Sequence, residues 1–184
     1  ATRAMIRLFT ALEIPADIAG RLVRLQRGVE GARWIEPGDF HITLRFIGDI
    51  PENVADEVDA ALEGLPFEPF EVEIEGVGAF GGAKPHALWA GVKPNERLAR
   101  LQARHESAMR RVGLKPETRN FTPHVTLARL RAAVDPAEVY HFIEANNLFA
   151  TPSFEVGRFV LFSARESTGG GPYVPERVYP PDED

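Results

Sequence analysis

Apolar positions along this chain recur at two spacings, about every second residue in some stretches and about 3.6 residues apart in others, so strands and helices should follow one another. Ile6 to Leu12 mixes alternation with β-favouring residues and is followed closely by Pro15, which reads as a first strand. From Pro15 to Val29, the apolar Ile18, Leu22 and Leu25 fall at helical spacing among Arg21, Arg24 and Arg27, and Gly28 or Gly31 can end that helix. Arg33-Trp34-Ile35 is a short extended piece and Glu36-Pro37-Gly38-Asp39 a turn, after which Phe40 to Ile47 forms a strand closed by Gly48-Asp49. Pro51 opens a second helix, with Val54, Val58, Ala61 and Leu62 on one face and acidic residues toward its N-terminal end, where the helix dipole favours them.

The second half repeats the theme. Phe70 to Glu75 alternates apolar with acidic residues, as a strand with one solvated face does, and Ala87 to Val92 is its expected partner. Between them, the glycine-rich Gly76 to Pro85, which carries Lys84, reads as a loop. Asn95 to Val112 is a long amphipathic helix, with Leu98, Leu101, His105, Ala108 and Val112 near one stripe and Gly113 as its stop. Phe121 to Leu130 is a strand, Asp135 to Asn146 a helix, and Ser153 to Ser163 another alternating strand. Gly169-Gly170-Gly171 marks a turn in a last hairpin, and the final few residues are expected to be loose. Strands and helices alternate without a run of parallel crossovers or a glycine-rich nucleotide fingerprint, which indicates an α+β fold.

Composition narrows the function classes. A chain of 184 residues with 44% hydrophobic content can bury one substantial core, so residues 1–184 are read as one domain made of two lobes, strand and helix recurring in both halves. The formal net charge is −6, so any nucleic-acid contact must be local. Cysteine is absent, which excludes disulfides and thiolate metal sites. Neither a leader-like start nor a run of apolar residues of membrane-spanning length is present, so a cytoplasmic protein with no membrane partner is expected.

Two segments carry the candidate chemistry: His41-Ile42-Thr43-Leu44 and His124-Val125-Thr126-Leu127, separated by 124 − 41 = 83 residues. Each sits in an expected strand, where His and Thr two apart share a face and the intervening apolar residues point to the core. If the two faces line one cleft, two imidazoles can flank a phosphodiester, one deprotonating an attacking water and the other protonating the leaving oxygen. Histidine suits both tasks because its ordinary pKa leaves both protonation states accessible near neutrality. The hydroxyls of Thr43 and Thr126 can donate to nonbridging phosphate oxygens. Taken singly, each histidine is more simply structural and each threonine a β-favouring residue; the duplication at equal offset decides for catalysis.

These motifs resemble those of the two-histidine (2H) phosphoesterase superfamily, and more narrowly the RNA 2′,3′-cyclic phosphodiesterases first named 2′-5′ RNA ligases. Ile6 to Leu12, Ala32-Arg33-Trp34, Leu44 to Gly48, Leu88 to Val92 and Phe121 to Arg129 match the family in order and spacing, so the likeness runs from about Met5 to Tyr179. It implies a bilobal fold of two pseudo-symmetric antiparallel β-sheets with helices outside and a central cleft. It also implies hydrolysis of RNA ending in a 2′,3′-cyclic phosphate to a 2′-phosphate, tRNA fragments being one such substrate, by a monomer that needs no metal or cofactor. The near-identity of the motifs leaves the two proton-transfer roles open; for this direction of hydrolysis the reading adopted is His124 as base and His41 as acid. Arg129 matches a family arginine implied to bind phosphate, but five residues beyond His124 on a regular strand it would face the wrong way, so a bulge, a strand end or side-chain length is needed. Phe46, the matching position in the first half, either packs on a base or ribose or belongs to the core.

Alternatives remain at this level. The same residues would serve a 2′-5′ ligase joining RNA halves, or an RNA-end-binding module without turnover. A metal hydrolase is weaker, since no carboxylate or third imidazole accompanies the motifs. His105 and His141 read as structural, His86 and Lys84 as surface residues of the loop before a strand, and Trp34 and Trp89 as core aromatics.

Overall fold

A computed structural model describes residues 4–165, 167 and 170–181. The expected loose C-terminal residues 182–184 and Gly169 lie outside that set. In chain order the elements are β1 (Met5–Glu13), α1 (Ala16–Val23), β2 (Arg33–Trp34), a 3-10 turn (Pro37–Asp39), β3 (His41–Pro51), α2 (Glu52–Glu63), β4 (Phe70–Val72), β5 (Ile74–Phe80), β6 (Ala87–Val92), α3 (Glu96–Val112), β7 (His124–Arg129), α4 (Pro136–Asn146), β8 (Phe154–Val156), β9 (Phe159–Ser163) and β10 (Val174–Tyr179).

Eight strands pair antiparallel in the order β10-β9-β1-β3-β7-β6-β5, with β2 also on β7. The two expected sheets are visible as two four-stranded halves, β10-β9-β1-β3 and β2-β7-β6-β5, joined by the single pair Ile42↔Val125. The halves are thus one sheet only where the two motifs meet. A separate two-stranded sheet pairs β4 with β8. Both are Phe-Glu-Val, so the pairing Phe70↔Val156, Glu71↔Glu155, Val72↔Phe154 is nearly two-fold symmetric.

One core runs under both halves. Ile42, Leu44, Val125 and Leu127 are buried in it with Ile18 and Leu22 of α1, Val58 and Leu62 of α2, Leu98 and Met109 of α3, and Val139 and Phe142 of α4. At about 25 cal/mol per Å² of apolar surface, this burial drives folding and fixes which face of β3 and β7 turns inward. The opposite face, bearing His41, Thr43, His124 and Thr126, is left half-open. Arg45 is the buried cation of this layer: it donates to Glu106 Oε2 at 2.6 Å and to the Lys115 carbonyl at 2.6 Å, fastening α3 and the segment after it to β3.

Several elements differ from the sequence pattern: β3 runs through Gly48-Asp49 to Pro51, and of the expected strand Phe70 to Glu75 the first part, β4, pairs with β8 and not with β6. The first helix stops at Val23, because Gln26 leaves the helical path to donate to the carbonyls of Ile35 (2.8 Å) and Leu127 (3.1 Å). β5 runs on to Phe80 through what reads as loop; a Cβ on Gly78 would lie 2.3 Å from the Trp89 ring, so glycine there makes room for an indole on the neighbouring strand and does not signal a turn. The stretch 153–163 is two strands that break at Gly157-Arg158 and join different sheets.

Candidate active site

The motifs meet because β3 and β7 pair at Ile42↔Val125. Carrying that register one residue in each direction sets His41 across from Thr126 and Thr43 across from His124, all on the open face. Opposite residues of an antiparallel pair stand about 5 Å apart and diagonal ones about 7–8 Å. The two imidazoles occupy a diagonal, each beside the other motif's threonine.

Each ring is held the same way. His41 Nδ1 lies 2.8 Å from the Asp39 carbonyl, and His124 Nδ1 lies 2.7 Å from the Thr122 carbonyl. A carbonyl can only accept, so Nδ1 carries the proton in both rings and Nε2 is the nitrogen left for chemistry. Aromatic walls complete the seats. Phe9 and Tyr173 flank His41 with ring centroids at 5.0 and 5.2 Å, and Phe80 stands edge-on to His124 at 4.9 Å.

The walls remove water, and both histidines are consequently pushed below the ordinary imidazole pKa. For His41 burial is the main cause, with the charges of His124 and Arg129 adding to it and the Asp39 carbonyl and carboxylate opposing it. For His124 burial dominates and the Thr122 carbonyl opposes it. Both shifts favour the neutral form of the ring.

The conflict of parity at Arg129 is resolved by a bulge. On the β6–β7 ladder, Leu88 pairs with Ala128 and Trp89 with Thr126, which leaves Leu127 as an extra residue. Leu127 and Ala128 are both buried, and alternation restarts so that Arg129 emerges on the histidine face. The same happens in β3: Thr10 pairs with Arg45 and Ala11 with Thr43, Leu44 is extra, and Phe46 emerges on the open face with 46% of its surface exposed. Phe46 is therefore a cleft residue and not a core aromatic. A cavity of about 640 Å³ is lined by His41, Thr43, Phe46, Arg129, Phe9 and Tyr173 among others. His124 and Thr126 are not part of its lining; the strand register brings them beside it.

The remaining candidates separate clearly. His105 is fully buried between Thr10 Oγ1, 2.9 Å from its Nδ1, and Phe159, and burial drives its pKa down to about 3. His141 is exposed on α4, and Lys84 and His86 are exposed on the β5–β6 hairpin. Trp34 packs against Phe142, and Trp89 is half-buried with its ring 6.3 Å from His124. The residues that sequence reasoning missed are the supports: Phe9, Phe80, Tyr173 and Asp39. Asp39 Oδ1 accepts the Tyr173 backbone N–H at 3.1 Å and so ties the segment after Gly170 to the turn that seats His41. A Cβ on Gly171 would lie 2.4 Å from Asp39 Oδ2, so the glycine run there permits a close approach. Phe9, Phe80 and Tyr173 are brought to the rings by tertiary structure and leave no spacing signal, whereas Asp39 stands two residues before His41.

Among the described residues no group of three or more His, Cys, Asp and Glu side chains could hold a metal ion, and no helix is long and apolar enough to cross a membrane.

Known proteins agree with this architecture. A protein named RNA 2′,3′-cyclic phosphodiesterase from Aeropyrum pernix is 38% identical over 122 residues, covering 63% of this chain and 69% of that one. Another of the same name from Aquifex aeolicus is 30% identical over 183 residues and covers 96% of both. In fold the chain is similar to E. coli LigT complexed with 3′-AMP, with a TM-score of 0.78 and 21% identity over 98% of this chain and 100% of that one. A sequence profile matches residues 14–168, most of the two half-sheets and both motifs, and by that match the chain belongs to the 2′-5′ RNA ligase superfamily.

Proposed function

We infer that this protein is an RNA 2′,3′-cyclic phosphodiesterase that opens the terminal cyclic phosphate to a 2′-phosphate. The observation that carries the reading is the pair of imidazoles, both anchored through Nδ1 to a carbonyl two residues upstream, on the open faces of two strands joined at Ile42↔Val125. The names borne by the Aeropyrum and Aquifex relatives support the same substrate.

The step is written as follows. Water attacks phosphorus from the side opposite O3′; its proton passes to His124 Nε2; the P–O3′ bond breaks; and O3′ takes the proton of His41 Nε2–H. The product carries a 2′-phosphate and a free 3′-hydroxyl. The ring that acts as acid must carry the extra proton, and the entering phosphate favours this, because its negative charge raises both imidazole pKa values. Thr43 and Thr126 donate to nonbridging oxygens, and the Arg129 guanidinium stabilises the charge that grows on them. No step calls for a metal. Both imidazoles come from one chain, so a monomer suffices, and RNA fragments such as cleaved tRNA in the cytoplasm are suitable substrates.

The test is to incubate the protein, in excess chelator, with a nucleoside 2′,3′-cyclic phosphate and identify the monophosphate formed. The 2′-monophosphate is expected. Formation of the 3′-monophosphate would exchange the leaving oxygen and overturn the proton assignments, and no product at all would overturn the activity.

A further inference from the structure

The outer flank of α3 carries a row of arginines that the cleft does not use. Arg97, Arg100, Arg104 and Arg111 recur at intervals of three, four and seven residues, which return to one side of a helix, so they form a stripe beside the buried one of Leu98, Leu101, His105 and Ala108. All four are exposed. Two grooves run along this stripe beside the segment that joins α2 to β4: one of about 210 Å³ against Arg97, Arg100, Arg104 and Glu68, and one of about 570 Å³ against Arg100, Arg104 and Arg111. They share Arg100, Arg104 and Pro66 and so make one trough. Four guanidiniums against one carboxylate give it a local charge of 4 − 1 = +3, on a chain whose net charge is −6. Little of that charge is compensated inside the protein. Arg97 and Arg104 each donate one long bond, to the carbonyls of Pro69 at 3.3 Å and Pro66 at 3.5 Å, out of the five donors that a guanidinium has. Arg100 and Arg111 have no hydrogen-bond or ion-pair partner among the described residues.

The stripe leads toward the cleft. α3 lies behind the sheet face that bears the histidines, since His105 meets Thr10 from the core side whereas the neighbouring Phe9 flanks His41. Its C-terminal end nonetheless comes round to β3. Arg45 donates both to the carbonyl of Phe46, the exposed cleft aromatic, and to that of Lys115, two residues past Gly113, so one guanidinium spans the distance between them. Lys115 is itself exposed and continues the basic row from Arg111 toward the cleft. Charges repeated along a helix at about 5.4 Å per turn suit a polymer with a charge on every unit, and the planar guanidinium fork matches a phosphate. We propose that this trough holds the phosphodiester backbone of the RNA upstream of the end being opened, a sequence-independent grip outside the catalytic cleft. It rests on the phosphodiesterase reading above, which makes RNA, and not an acidic polypeptide, the expected polyanion.

The experiment measures Kd over a range of salt for a labelled single-stranded RNA ending in a 3′-hydroxyl. It also measures kcat/KM for an RNA, and for a mononucleoside, ending in the 2′,3′-cyclic phosphate. The variant is Arg100→Ala/Arg111→Ala, whose exposed positions have no partner to lose, so its unfolding midpoint should match wild type. Its RNA affinity should fall about tenfold at low salt, and the slope of log affinity against log salt should become shallower by about 1.4, at about 0.7 for each single-strand phosphate contact. Its kcat/KM should fall on the RNA and stay unchanged on the mononucleoside. Arg100→Lys/Arg111→Lys should keep most of the affinity, because the charge survives. Arg21→Ala/Arg24→Ala on α1 removes as much exposed charge from another helix and should do much less. Equal weakening by the α1 pair would reduce the effect to net charge, unchanged RNA affinity would give the stripe to another partner such as an acidic protein, and equal loss on the mononucleoside would place these arginines in the reaction; each overturns the proposal. Absence of turnover on both cyclic substrates would instead overturn the phosphodiesterase reading, while the RNA affinities still decide the trough.

Discussion

Set side by side, β3 and β7 follow the same course: a carbonyl two residues before the histidine, the ring, a threonine on the same face, and a one-residue bulge. Then they diverge. The bulge at Leu44 delivers Phe46 to the cleft, and the bulge at Leu127 delivers Arg129. The carbonyl that accepts from the ring in the first half belongs to Asp39, whose carboxylate also grips the Tyr173 segment; its counterpart is the uncharged Thr122. What the halves share is fixed by backbone geometry, and what they do not share is charge. A phosphoryl reaction needs just this division. Proton donor and acceptor are chemically interchangeable, so a symmetric frame can seat both, whereas the guanidinium is wanted where negative charge accumulates.

The strongest way to break the comparison is to remove one ring at a time. His41→Ala and His124→Ala are each expected to lower single-turnover rates on a cyclic phosphate by about 10²- to 10⁴-fold, with unfolding midpoints close to wild type because neither ring belongs to the core. A variant that retains near-normal rates would show that the two halves are not partners in one proton-transfer pair.

Smaller effects should separate the positions that follow the bulges. Arg129→Ala removes a charge-assisted contact and is expected to cost kcat/KM about 10- to 100-fold. Phe46→Ala should cost only a few-fold, through KM, since an exposed ring contributes contact area and no charge. Thr43→Ala and Thr126→Ala should fall between, about five- to tenfold each, as neutral hydrogen bonds to phosphate contribute less than proton transfer. If Phe46→Ala costs as much as Arg129→Ala, the difference between the halves is one of packing and not of charge.

How much of this was legible in the sequence depends on the range of the interaction. The histidine and threonine positions and the helix Glu96–Val112 follow from local period and composition, and the structure has them where the pattern puts them; the expected pairing of Phe70–Glu75 with Ala87–Val92 is not kept, since Phe70–Val72 pairs with β8 and β6 takes Ile74–Phe80 instead. The bulges are not local. An extra residue in β7 exists only relative to its partner strand, and without it Arg129 reads as facing the wrong way. Gly78 likewise reads as a loop until Trp89 is seen beside it, and Gln26 reads as helical until the carbonyls of Ile35 and Leu127 claim its side chain. Each misreading comes from a side chain or backbone group whose partner is distant in sequence.

The finest test concerns the remaining charge difference between the halves, at Asp39 and Thr122. Burial lowers both imidazole pKa values, and only His41 has a carboxylate neighbour working against that shift. Asp39→Asn keeps an oxygen to accept the Tyr173 N–H and keeps the backbone carbonyl that anchors His41, so the seat should survive while the charge is lost. With the opposing influence gone, the His41 pKa falls further. In the free enzyme kcat/KM requires one ring protonated and the other neutral, which gives a bell-shaped pH profile whose two limbs belong to the pair. The optimum should lie on the acid side of that for unperturbed imidazoles, and Asp39→Asn should move it lower still, with little change in the maximum. Asp39→Ala, which also releases Tyr173, should lower the maximum as well. A profile unmoved by Asp39→Asn would mean that the carboxylate serves only as a tether, and that the two half-sites are electrostatically alike on this side of the cleft.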